Sequence, residues 1–197
     1  VNLTFVINKK RKVKIGKITF EGNQVFSDRK LRKTFKKTHQ KSINFFRSSK
    51  LKRKEYAEDK ENLLDFYNSR GYRNAVILSD SIYPISADRI GITIKLDEGN
   101  KFYYLFNLSK KDFNENLSSV YPTEQLDAMV GIVKGSSYDK KSLYKQLGIG
   151  KETNPDEMSV STLYQNSGYL FSQIEPQEVV VGKDSVDLII KIFEGDQ

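Results

Sequence analysis

The chain of 197 residues contains no cysteine. That excludes disulfides, thiolate metal sites and cysteine nucleophiles, and leaves the redox compartment open. It has a single histidine, His39, set in a basic stretch. A Ser-His-Asp triad would have to be built on that residue, and a two-histidine metal site cannot form within one chain. No apolar run reaches the roughly 18–20 residues of a membrane-spanning helix, and the N-terminus lacks a signal-peptide pattern. What is present, 38% hydrophobic and 29% charged residues, is enough for one large domain or two of about 100 residues, each with a real core. The composition favours a binding or scaffold module over an enzyme. No catalytic residue, metal ligand or cofactor is assigned.

Acidic residues are missing from one region. Residues 1–99 carry 23 Lys/Arg against 11 Asp/Glu, whereas residues 100–197 carry 10 against 14. Between Arg29 and Lys54 there are 12 basic side chains and no acid. A solvated face explains such a run; the functional reading is attraction to an anionic surface, whether phospholipid, nucleic acid or an acidic partner. Arg29, Lys30, Lys33, Lys37, Arg47, Lys50, Lys52 and Arg53 are the candidate contacts.

The chain repeats itself. Phe66-Tyr67-Asn68-Ser69-Arg70-Gly71-Tyr72 recurs 97 residues later as Leu163-Tyr164-Gln165-Asn166-Ser167-Gly168-Tyr169. Ile94-Lys95-Leu96-Asp97-Glu98-Gly99 recurs as Ile190-Lys191-Ile192-Phe193-Glu194-Gly195. Ile90, Ile92, Ile94 and Leu96 alternate with polar positions, as do Val186, Leu188, Ile190 and Ile192, so each Glu-Gly follows a strand with one covered face. Val1, Leu3, Phe5 and Ile7 alternate likewise. The expected organisation is therefore residues 1–9 as the last strand of a preceding unit, then units at 10–99 and 100–197.

Each unit reads as strand, helix, helix, strand, strand. In the first, a strand over Val13–Phe20 meets the turn Gly22-Asn23. Ser27 is expected to cap a helix running to about Gln40. After a linker, a helix from about Lys54 turns Tyr56, Leu63 and Tyr67 inward, with Ala57 and Leu64 widening the stripe. Gly71 suits the left-handed position that ends a helix. Strands Asn74–Ile82, ended by Pro84, and Ile90–Leu96 follow. In the second unit Phe102–Phe106 is a strand and Ser109–Ser119 a polar insertion. Thr123 caps a short helix ended by Gly131. Tyr138–Leu147 and Asp156–Ser167 form a helix interrupted at Gly148–Pro155, before strands Phe171–Val181 and Ser185–Phe193. Proline cannot donate to a ladder, so Pro84 and Pro176 put the second strand of each unit at a sheet edge. A helix pair needs a sheet face to bury against, which makes the fold α+β: two tandem units, each a small mixed three-stranded sheet packed on a helix pair.

This βααββ order, the Gly22-Asn23 turn, the Tyr-x-x-x-Gly-Tyr helix end and the closing Glu-Gly resemble the polypeptide-transport-associated (POTRA) domain. The resemblance covers nearly the whole chain; unit two departs from it by lacking the Gly-Asn turn and splitting its second helix. It implies a scaffold on the periplasmic face of the Gram-negative outer membrane, in an arm of a barrel-assembly factor. The implied partners are unfolded outer-membrane proteins, accessory assembly lipoproteins, adjacent POTRA units and a C-terminal membrane barrel. Clients would pair with an exposed sheet edge; Asn74, Ala75, Val76, Ile77 and Leu78, and Phe171, Ser172, Gln173, Ile174 and Val179, are the candidate edge positions. Gly22, Asn23, Gly71, Tyr72, Glu98, Gly99, Gly168, Tyr169, Glu194 and Gly195 are expected to be structural. The competing reading is a nucleic-acid-binding protein using the 29–54 stretch, with Phe45 and Phe46 as stacking residues; no RRM or KH signature supports it.

Overall fold

A computed structural model of the chain describes residues 13–40, 49–105, 120–151 and 153–197. The alternating segment Val1–Ile7, Arg47, the Phe45-Phe46 pair and the whole of the expected insertion at Ser109–Ser119 lie outside the described residues. The chain divides into two compact units: the described residues up to Leu64 with Val76–Glu98, and Asp65–Ala75 with Gly99–Gln197.

The elements in order are β1 (Lys14–Glu21), α1 (Asp28–Arg32), α2 (Arg53–Asn68), β2 (Val76–Ser86), β3 (Arg89–Asp97), β4 (Tyr103–Tyr104), α3 (Thr123–Val130), α4 (Lys140–Leu147), α5 (Val160–Asn166), β5 (Gln173–Val181) and β6 (Ser185–Phe193). They build two three-stranded sheets, ordered β1-β3-β2 and β4-β6-β5. In each the last strand is central, parallel to the first and antiparallel to the second. Both sheets are mixed, as expected, and β2 and β5 are edge strands. The alternation seen in the sequence decides which face is covered: Ile92, Ile94 and Leu96 on β3, and Val186, Leu188, Ile190 and Ile192 on β6, are buried.

Within the first unit Ile15, Ile18 and Phe20 of β1 join Leu31, Phe35, Tyr56 and Leu63 in the core. Phe35 meets Phe20 edge-on, with ring centroids 5.9 Å apart. In the second, Phe102, Tyr104, Leu126, Val130, Tyr138, Leu143, Leu147, Val160 and Tyr164 pack on β6. Gly22 is needed where it stands: at φ +86° a Cβ would sit 2.1 Å from the Leu96 carbonyl oxygen. Asn23 completes the turn by donating to the Phe26 carbonyl and to Asp28. Gly71 and Gly168 take left-handed φ values beyond their helix ends. The half-buried Tyr72 and Tyr169 that follow pack edge-on against Tyr67 and Tyr164. Gly99 and Gly195 also have positive φ.

Several local expectations are corrected. α1 ends at Arg32 instead of near Gln40. The buried carboxylate of Asp59 on α2 accepts the backbone N–H groups of Lys36 (2.8 Å), Lys37 (3.1 Å) and Thr38 (2.6 Å), which converts the rest of the expected helix into a turn. Ala57 is exposed and Asp59 takes the inward place. Ser27 holds the N-cap position without a side-chain bond, and at α3 the cap is Pro122, Thr123 being the first helical residue. α4 starts two residues after Tyr138, capped by Asp139. α5 starts at Val160, where Ser159 and Thr162 form a capping box. Pro84 does not end β2; it pairs with Ile90 inside the strand, which an edge position allows because the missing N–H can face solvent.

Candidate functional site

A three-stranded sheet has two margins, and the chain treats them differently. Along the outer side of β1 the backbone groups are occupied. Ile15 N–H donates to the Ser49 carbonyl (2.7 Å), Ile18 N–H to Gln40 Oε1 (3.1 Å) and Phe20 N–H to Asp28 Oδ2 (3.4 Å). Arg32 Nη1 donates to the Ile18 carbonyl (3.2 Å). The outer side of β4 is occupied too, by the segment Gly135–Tyr138. Tyr104 N–H donates to Ser136 (2.9 Å), Gly135 N–H to the Tyr104 carbonyl (2.7 Å) and Tyr138 N–H to Phe102 (2.9 Å). The Lys134-Gly135-Ser136-Ser137 sequence, which faintly resembles a phosphate loop, thus serves as an edge cover.

β2 and β5 are the opposite case. Among the described residues no backbone group from outside the sheets bonds to either. A row of unpaired N–H and C=O groups along an edge strand is a template for another strand. On β2 the row is flanked by exposed apolar side chains: Leu78 is 56% exposed, Ile82 50% and Ile85 49%. Val76 and Tyr83 add to them, and Ile77 is half-buried. On β5 Gln173 and Val179 are exposed and Ile174 is half-buried.

Four of the candidate edge positions fall outside the strands. Ala75 N–H turns back to the Tyr72 carbonyl (3.2 Å) and Ser172 N–H to the Tyr169 carbonyl (3.3 Å), so β2 and β5 each begin one residue later. Asn74, Ala75, Phe171 and Ser172 therefore belong to the helix-to-strand corner; Phe171 stands out from it, 80% exposed.

Each open strand carries one carboxylate on its covered face. On β2 it is Asp80, opposite Ile94, with Lys60 Nζ at 3.1 Å. Burial opposes its ionisation, but the neighbouring Tyr56 hydroxyl and the Lys60 ammonium outweigh that and hold its pKa below the ordinary value. The Tyr56 hydroxyl is buried without a partner in hydrogen-bond geometry among the described residues, and its pKa is raised, first by burial and then by Asp80. On β5 the acid is Glu178, opposite Leu188, held by Tyr138 Oη (2.8 Å) and by Arg73 Nε (2.7 Å), all within the second unit. Burial, and then Glu178, raises the Tyr138 pKa. Inward-facing charges on edge strands hinder indiscriminate edge-to-edge pairing.

The two Glu-Gly motifs have a function the sequence did not disclose. Glu98 is buried, and its Oε2 accepts the backbone N–H groups of Gln24 (2.8 Å) and Val25 (2.9 Å), fixing the loop before α1. Glu194 Oε1 accepts Val120 N–H (2.9 Å) and the Tyr164 hydroxyl (2.8 Å), fixing the loop before α3. The equivalent carboxylate ties the end of the central strand to the start of the first helix in both copies.

Of the basic candidates, Lys37 pairs with Glu58 and Lys52 with Glu55 (2.7 Å). Lys30 lies over the Phe26 ring, 4.6 Å from its centroid. Arg29, Lys33, Lys50 and Arg53 are exposed. No described helix is long and apolar enough to cross a membrane.

Comparison with known proteins agrees with this architecture. A POTRA family model, described as "Surface antigen variable number repeat", matches residues 13–99 and again 111–195. The outer membrane protein assembly factor BamA of Neisseria meningitidis serogroup B is 28% identical over 199 residues; the match takes in 99% of this chain but only 23% of that protein. Two solved structures share the fold. The POTRA3-5 segment of Haemophilus influenzae BamA superposes with a TM-score of 0.64 at 14% identity, covering 98% of this chain and 70% of that one. BamA of Haemophilus ducreyi lacking POTRA domains 1-3 gives 0.59 at 18% identity, covering 92% and 29%. With two matched copies, each a mixed sheet whose first margin is covered and whose second is open, the chain belongs to the POTRA family and consists of tandem POTRA domains of a BamA-like protein.

Proposed function

We propose that this chain is a periplasmic segment of an outer-membrane β-barrel assembly factor, a scaffold and not an enzyme, that receives unfolded barrel precursors by strand addition. The observation that carries the reading is the asymmetry of the sheet margins. β1 and β4 are covered by their own chain, while among the described residues no backbone from outside the sheets bonds to β2 or β5. β2 is the principal site: its residues 76–83 run without proline, whereas Pro176 stands fourth in the nine residues of β5. Accessory assembly lipoproteins, adjacent POTRA units and a C-terminal membrane barrel are the further partners of the whole protein, on the periplasmic face of the Gram-negative outer membrane.

Magnitude suits a transient role. Four ladder hydrogen bonds at about 1 kcal/mol each give roughly 4 kcal/mol, near millimolar affinity. A client held that weakly is released without a dedicated step, and backbone pairing tolerates many sequences. The test is an amide-resolved NMR titration with a peptide of alternating apolar and polar residues. Shifts concentrated on residues 76–83, with β1 silent, are expected. Shifts confined to helices, or no binding at several millimolar peptide, would overturn the reading.

A further inference from the structure

The first unit has a second surface feature that strand addition does not use. Arg29 and Lys33 on and just after α1, Lys36 in the turn that follows, and Arg53 and Lys54 at the start of α2 are all exposed. Among the described residues none of the five forms an ion pair, although Lys37 and Lys52 close by are neutralised by Glu58 and Glu55. The turn bearing Lys36 is not loose: Asp59, fully buried on α2, holds its backbone through the N–H groups of residues 36–38. The same carboxylate ties the turn to α2, the helix that starts with Arg53 and Lys54. Beside α1 stand Val25, 48% exposed, and Phe26, over which Lys30 lies.

We propose that this cationic shoulder docks on an anionic phospholipid surface. Three of the five cations are lysines, strongly hydrated point charges suited to a diffuse field of head groups more than to the planar, bidentate recognition at which arginine excels. Val25 offers an apolar side chain to the acyl boundary next to the charges.

The experiment is vesicle co-sedimentation of the 197-residue chain with bilayers of phosphatidylcholine alone and of phosphatidylcholine with about one-third phosphatidylglycerol. Retention on the anionic vesicles only, lost in high salt, is expected. The variant Lys33→Gln/Lys36→Gln/Lys54→Gln should weaken partitioning by about fivefold per charge removed. Lys14→Gln/Lys17→Gln/Lys95→Gln, equal in charge change but placed on β1 and β3, should leave it within about twofold. Circular dichroism on both variants shows that they are folded. Equal losses from the two triples would overturn the shoulder as the site. Failure to bind anionic vesicles, with salt-sensitive binding to single-stranded RNA or polyglutamate instead, would overturn the lipid.

Discussion

The two open margins of this chain differ in how they are guarded. β2 is long, bulged between Ile77 and Ser79, lined with half-exposed Leu78, Ile82 and Ile85, and backed by the partly exposed Asp80–Lys60 pair. β5 is shorter, lacks one N–H at Pro176 although its register runs unbroken, and is backed by Glu178, whose side chain is only 12% exposed between Arg73 and Tyr138. Under the proposed strand addition, the same POTRA architecture thus yields one receptive edge and one restricted edge. The difference lies in a few residues of the strand and the side chains behind it, not in the topology.

The strongest way to break this contrast is to remove backbone pairing from the receptive edge. Ile77→Pro should weaken client-peptide binding roughly tenfold more than Ile77→Ala, because proline removes an N–H and perturbs its neighbours. Val180→Pro in β5, whose N–H lies on the same outward side as position 176, should add little to Val180→Ala. Fluorescence anisotropy with a labelled peptide, on variants shown to be folded, reads both; equal proline penalties would abolish the ranking of the edges. Next is the guard. Glu178→Ala leaves a mostly buried guanidinium and a buried phenol without their acceptor and should lower stability by about 2–3 kcal/mol. Asp80→Ala breaks a pair that is about one-third exposed and should cost under about 1 kcal/mol. Urea unfolding of the two variants separates them.

The contrast can also be sharpened by relieving the restricted edge. Pro176→Thr restores one donor to β5 and should raise peptide affinity at the second unit by about fivefold. The smallest effect concerns pH. The folded pKa of Asp80 is depressed, so its contribution to stability is complete above its unfolded value near about 4 and is lost as pH falls through the folded value. The fall in unfolding midpoint over that acidic window should be shallower in Asp80→Asn than in the parent.

Much of the fold could be read from the residues. Period-two runs identified β3 and β6, and the repeated Gly-Tyr corner identified the ends of α2 and α5. Pro176 placed β5 at an edge. These signals are local. What escaped the sequence reading depends on partners far along the chain. Nothing near Lys36 announces that Asp59, 23 residues away, will take its N–H and shorten α1. Nothing in Glu98-Gly99 announces that the carboxylate reaches back 74 residues to Gln24. The two strands lie at sheet edges as expected but start later than expected, because the Ala75-to-Tyr72 and Ser172-to-Tyr169 turns are backbone bonds that no side chain specifies. The cover on β4 was missed for the same reason.

The self-capping of β1 and β4 has a directional consequence. A sheet covered on one side can be extended in one direction only, so an added strand lies outward of β2 or β5 and none can insert beside β1 or β4. Under the proposed strand addition, every client strand would thus enter a module from the same side. The number of such starting edges rises with the number of modules.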